Sequence, residues 1–154
     1  MSDEEKLSSY LNKSKLISNS NYEKKIRIAI LGGFTLNGLE ETMRVKCDEK
    51  KIQCTTYVSG YNQYNQEILD EKSQLYEFSP DITFLIIDTR NVLGELFLNP
   101  YSVSVEERKR FIQNKSDEII NLAKALVKKS KSKLVLSNFS IPSYSPIGIN
   151  ETRE

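Results

Sequence analysis

DITFLIID, residues 81–88, is the most apolar run in the chain, and its reading decides the fold. A short apolar run with turn signals on both sides is the pattern of a strand buried on both faces, the kind found inside parallel sheets. Pro80 precedes it and the polar Thr89-Arg90-Asn91 follows, so it is the best candidate for a central strand. Upstream, IRIAIL (residues 26–31) ends at Gly32-Gly33 and reads as a first buried strand followed by a tight turn. Helix spacing follows in Leu36, Leu39, Met43 and Cys47. IQCTTYVS (residues 52–59) alternates, carries β-branched and aromatic residues, and reads as a second strand closed by Gly60. Downstream, residues 89–102 read as a loop with a breaker at Pro100. Ser104 then caps a long helix to about Lys129, with Val105, Phe111, Ile112, Ile119, Ile120, Ala123, Leu126 and Val127 on its apolar side. KLVLSNF (residues 133–139) supplies a fourth strand.

The order strand, helix, strand, irregular segment, strand, helix, strand predicts an α/β fold. It implies a three-layer α/β/α sandwich on a parallel sheet with right-handed crossovers. Residues 1–25 are rich in Ser, Asn, Lys and Glu and read as a tail or short helix and linker. Leu7, Tyr10, Leu11 and Ile17 stand at helical spacing behind a Ser2/Glu5 capping box. Residues 26–154 are expected to form one domain, since 154 residues at 38% hydrophobic content suffice for a single core.

Charge and composition narrow the function. Twenty-two basic and 21 acidic residues leave a net charge of +1, which gives no footprint for nucleic acid or an anionic membrane. The absence of histidine removes imidazole as general base, metal ligand and pH switch. Cys47 and Cys54 show no metal-ligand or redox spacing and are expected to be reduced and packed. The acidic amino terminus and the lack of an apolar run near ~18 residues predict neither a signal peptide nor a membrane span, and so a cytoplasmic protein.

In a parallel sheet, ligands bind beyond the carboxyl ends of the strands, so three loops are predicted to share one place. The first is Gly32-Gly33-Phe34-Thr35, where glycines permit a sharp turn into a helix; either Thr35 or Asn37 merely caps that helix, or the Thr35 hydroxyl is offered to a ligand. The second, GYNQYNQEILDEKSQLYEFSPD (residues 60–81), shows no long period. Tyr61, Asn62, Gln63, Tyr64, Asn65, Gln66 and Glu67 suit it either to hydrogen-bond a polar ligand or to satisfy its own peptide groups. The third is Asp88-Thr89-Arg90-Asn91, where a carboxylate and a guanidinium could position an anion or each other.

The runs LGGFTLNGLE and YVSGYNQYNQEILDEKSQLYEFSPDITFLIIDTRN resemble the amino-terminal domain of FkbH-like proteins, of haloacid-dehalogenase (HAD) subfamily IIIC. The most specific parts are Tyr-x-Gln-x-x-Gln-Glu-Ile-Leu (residues 61–69) and Leu-Tyr-x-Phe-x-Pro-Asp (residues 75–81). The resemblance implies a flavodoxin-like domain similar to SGNH/GDSL hydrolases, standing before a HAD catalytic domain. It also implies action on an acyl carrier protein in glyceryl or acyl transfer, for polyketide or glycan assembly.

The departures from those patterns decide which roles carry over. The Gly-Asp-Ser turn of SGNH enzymes is here Gly33-Phe34-Thr35, their Gly-x-Asn-Asp loop corresponds to residues 88–91 with Asn91 as a candidate oxyanion donor, and their terminal Asp-x-x-His is missing. A threonine without a base is a poor nucleophile. The HAD Asp-x-Asp signature, with its magnesium ion, is missing as well, so the domain is expected to use no metal or cofactor.

Three functions follow from these features. The favoured one is a non-catalytic recognition domain for an acyl carrier protein, its phosphopantetheine arm or a HAD domain. The second is an enzyme with Thr35 as nucleophile, served by Asp88 or Glu67. The third is a packing partner for a neighbouring domain, which should show an exposed apolar face. The chain is expected to be either the first domain of a larger protein or a natural single-domain relative.

Overall fold

The structure, a computed structural model, describes residues 6–17 and 22–140. Four parallel strands form the sheet in the order β2-β1-β3-β4, with β1 at Lys24–Gly32, β2 at Ile52–Val58, β3 at Ile82–Ile86 and β4 at Lys133–Leu136. Strand β1 pairs on both sides, Ile30 opposite Val58 of β2 and Phe84 of β3. Its residues from Ile28 to Leu31 are all buried, which explains the unbroken apolar run. β3 alternates instead. Thr83, Leu85 and Ile87 are buried and their neighbours only half so, which makes β1 rather than residues 81–88 the most buried strand.

Helices lie on both faces. Helices α1 (Leu7–Leu16) and α2 (Leu39–Asp48) pack together on one face, where Val45 meets the side of the sheet carrying Ile28 and Ile30. On the other face, α3 (Tyr64–Leu69), α4 (Gln74–Phe78) and α6 (Val105–Lys129) close the main core of Ala29, Leu31, Ile68, Leu75, Leu85 and Leu126. Ser104 caps α6 as expected. Its hydroxyl accepts from the Glu107 amide at 3.2 Å, and the Glu107 carboxylate accepts from the Ser104 amide at 2.9 Å. That pairing holds the Glu107 carboxyl below its ordinary range.

Four expectations need correction. Residues 60–81 are not an irregular loop. Tyr64 and Ile68, four apart, and then Leu75 enter the core and wind the segment into two short helices. Residues 89–102 likewise contain α5 (Thr89–Leu93) and two 3-10 turns, Gly94–Phe97 and Pro100–Ser102. Neither Thr35 nor Asn37 caps α2. Gly38 does, at φ 83, and a Cβ there would meet the Leu7 side chain at 2.3 Å. The apolar side of α6 is wider than the core it covers, since Ile112, Ile120 and Val127 are each about half exposed. The amino-terminal helix packs on α2, whereas the Ser2/Glu5 box lies outside the described residues.

Cys47 and Cys54 are free and half-buried on α2 and β2. Burial, and next the Cys47 thiol beside it, push the Cys54 thiol up to about 12. A thiol near 8.5 in the unfolded chain binds its proton more tightly in the fold. Its stabilising effect is therefore complete below about pH 8.5 and is lost as pH rises toward the folded value. Urea midpoints at neutral pH and near pH 10 should fall more in the wild type than in Cys54→Ala. In the main core, Ile68→Ala or Leu126→Ala should lower unfolding free energy by about 2–5 kcal/mol, against less than about 0.5 kcal/mol for exposed Ile120→Ala.

Candidate functional site at the carboxyl edge of the sheet

The three loops meet because the ends of β1, β2 and β3 lie level and are tied by short polar bonds. The Gly33 amide donates to the Ile86 carbonyl at 3.0 Å, and the Asn62 amide to the Gly32 carbonyl at 3.2 Å. The Asn91 side-chain amide donates to the Gly33 carbonyl. A Cβ on Gly33 would lie 3.2 Å from the Asp88 amide nitrogen, so glycine lets the first and third loops cross closely.

Between the first two loops opens a cavity of about 270 Å³, with Phe34, Thr35, Asn37, Glu40, Ser59 and Tyr61 on its walls. Phe34 and Tyr61 are 40% and 67% exposed, which gives the mouth two accessible aromatic faces. Glu40 accepts from the Thr56 hydroxyl at 2.6 Å, and Glu41 lines the wall beside it. These two carboxylates occupy the first turn of α2, where they complement the positive end of the helix dipole. Among the described residues no lysine or arginine lines the cavity. The helix terminus is thus already matched by acid, and the site suits a neutral or cationic polar group better than a phosphate.

The predicted residues of the first two loops divide into three groups. Phe34, Thr35 and Tyr61 line the cavity, whereas Gly33 does not and instead meets Asn91 and Asp88 of the third loop. Gln63 and Gln66 are exposed, Gln63 just before α3 and Gln66 within it, and neither lines the cavity. Tyr64 is buried in the core, where loss of solvation raises its phenol pKa, and the Glu67 carboxylate accepts from the Leu75 amide at 3.0 Å. Glu67 also faces the Tyr57 phenol, whose pKa is raised first by burial and then by this partner. Glu67 thus satisfies a peptide group of its own segment, while Tyr64 contributes its ring to the core.

The third loop is held in place by bonds of its own, with Arg90 and Asn91 exposed. Asp88 caps α5 through the Arg90 amide at 3.3 Å, and the Arg90 guanidinium lies 5.2 Å from the Phe97 ring centre. Asp88 and Arg90 form no ion pair with each other. Asn91, the candidate oxyanion donor, gives its side-chain amide to the Gly33 carbonyl. Among the described residues no carboxylate or lysine hydrogen-bonds the Thr35 hydroxyl, and no group of three or more Cys, Asp or Glu could hold a metal ion.

Asn37, Glu40, Glu41 and Ser59 were not anticipated. Their signal was available, since polar residues around a glycine at the start of a helix lie at the carboxyl edge of any parallel sheet. Beyond α5 a second, almost wholly apolar groove of about 230 Å³ runs between Val92, Leu93, Ile112, Ile119 and Phe139.

A family model described as FkbH, N-terminal domain, matches residues 27–142, most of the chain. The chain belongs to the FkbH N-terminal domain family. No curated protein matches it. Among solved structures, this FkbH domain is similar to the crystal structure of the N-terminal part of the protein BF1531 from Bacteroides fragilis, containing a phosphatase domain and complexed with Mg. The TM-score is 0.71 at 17% identity, a likeness of fold alone. The match covers 89% of the FkbH domain but only 34% of the BF1531 chain.

If Glu67 serves the scaffold, Glu67→Ala should cost roughly 1–3 kcal/mol by orphaning the Leu75 amide, while Gln66→Ala should leave the urea midpoint nearly unchanged.

Proposed function

We propose that this FkbH N-terminal domain is a recognition module rather than a catalyst. In this reading it has SGNH/GDSL-like ancestry and serves an FkbH-like protein of HAD subfamily IIIC. It holds the phosphopantetheine arm of an acyl carrier protein during glyceryl or acyl transfer in the cytoplasm, for polyketide or glycan assembly. The observation that carries the reading is the open cavity of Phe34, Thr35, Asn37, Ser59 and Tyr61, which has hydrogen-bonding groups and aromatic faces but no base bonded to its hydroxyl.

The amides and thiol of a pantetheine arm are neutral and polar, matching those walls. The phosphate would stay outside, away from Glu40 and Glu41. The module needs no metal or cofactor of its own for this task. Placement in the cytoplasm is compatible with the described helices, none of which is long and apolar enough to cross a membrane.

A second reading, packing against a neighbouring HAD domain, is favoured by exposed Phe139 and Ile112, which share the apolar groove beyond α5. The two readings use different faces and are compatible.

Calorimetry with holo and apo acyl carrier protein separates recognition from the alternative of an SGNH-type hydrolase or acyltransferase with Thr35 as nucleophile. Tyr61→Ala and Phe34→Ala should each weaken holo binding by about 1–3 kcal/mol, with little effect on apo binding. Thr35→Ala should leave transfer by the complete protein within a few fold. Loss of turnover by several powers of ten in a folded Thr35→Ala protein would instead make it the nucleophile.

A further inference from the structure

The end of the sheet opposite the cavity carries the opposite charge. A cleft of about 600 Å³ lies between the end of α4, the start of β3, the end of α6 and the start of β4, with Lys129, Lys131 and Lys133 on its walls. Lys24 and Lys25 begin β1 along the same edge, and Lys50 and Lys51 form the turn before β2. We propose that this amino-terminal edge docks a carboxylate-rich face of a partner protein, independently of any ligand at the carboxyl edge.

Ordinary structural duties account for only part of the cluster. Lys128 and Lys129 sit in the last turn of α6, where cations complement the dipole. The Lys129 ammonium also donates to the Leu69 carbonyl at 2.8 Å and faces Glu71 at 3.5 Å. Lys131 and Lys133 have no such task. Both are exposed, and neither forms an ion pair among the described residues. Asp81 is the acid on the cleft wall, and one of its carboxylate oxygens accepts from the Arg27 amide at 2.8 Å.

The same geometry selects an acidic surface over a small anion. A phosphate site is built from converging backbone N–H groups, as at a helix amino terminus. Here α6 presents its carboxyl terminus. Four nearby amides are already committed: Asp81 donates to Arg27, Ser130 to Leu126, Ser132 to the Ser130 hydroxyl and Lys133 to Asp81. The lysine tips are the main charged groups left, and they reach outward to carboxylates that a partner carries on its own scaffold. With Glu40 and Glu41 at the far end of the sheet, an acidic face is drawn to the lysine edge rather than to the cavity, which favours steering in one orientation.

The test uses a fluorescein-labelled, glutamate-rich helical peptide as probe and anisotropy as readout, at roughly 20 and 200 mM NaCl. Binding should be measurable at the lower salt and weaken strongly at the higher. Lys131→Glu/Lys133→Glu should lose about tenfold or more, and Lys131→Gln/Lys133→Gln an intermediate amount. Lys13→Glu/Lys15→Glu, an equal charge change on exposed α1 positions, should stay within about twofold. Absence of binding at low salt, or equal loss in the α1 control, would overturn the assignment. So would displacement of the peptide by millimolar inorganic phosphate, or tighter binding of a duplex RNA.

Discussion

Everything in this domain hangs on the two-sided parallel pairing of β1. Because Ile30 lies opposite both Val58 and Phe84, the three strands end level and the chain must leave them at one edge. Burial on both faces requires apolar side chains from Ile28 to Leu31, and the close crossing beyond them requires Gly33. The Asn91 amide then clips the third loop to the first. Core formation and site formation are thus one event, since the register that closes the core also brings the loops together.

That arrangement separates scaffold from surface within a single segment. In residues 60–81 a few side chains turn inward: Tyr64, Ile68 and Leu75 fill the core, and Glu67 satisfies a backbone amide. What is left facing the cavity is Tyr61, with Phe34 across from it. The charges separate along the strands in the same way, carboxylates at one end of the sheet and lysines at the other.

The long-period features were legible from the residues alone. Four apolar or alternating runs marked the four strands, and the Ser104/Glu107 pair marked the start of α6, because each rests on a local rule repeated over several residues. Short elements escaped. Helices of five or six residues, such as α3 to α5, complete fewer than two turns, so no period can accumulate, and what winds them is contact with the core. The glycine cap of α2 was hidden for a related reason. Its left-handed backbone answers to the approach of Leu7, a tertiary contact. Spacing puts Ile112, Ile120 and Val127 on the apolar side of α6, but it reports which face is apolar and not whether anything covers it. At the site, the loops were placed by the sheet rule, while the choice between side chains that line a cavity and side chains that brace a turn required the packing.

The central claim, recognition at the carboxyl edge, is tested most directly by titrating the isotope-labelled domain with holo and then apo acyl carrier protein and following backbone amide shifts. The account predicts shifts centred on Phe34 to Gly38 and Ser59 to Tyr61 that are larger with the holo form. No shifts with either form, or equal shifts from both forms confined to other surfaces, would contradict it.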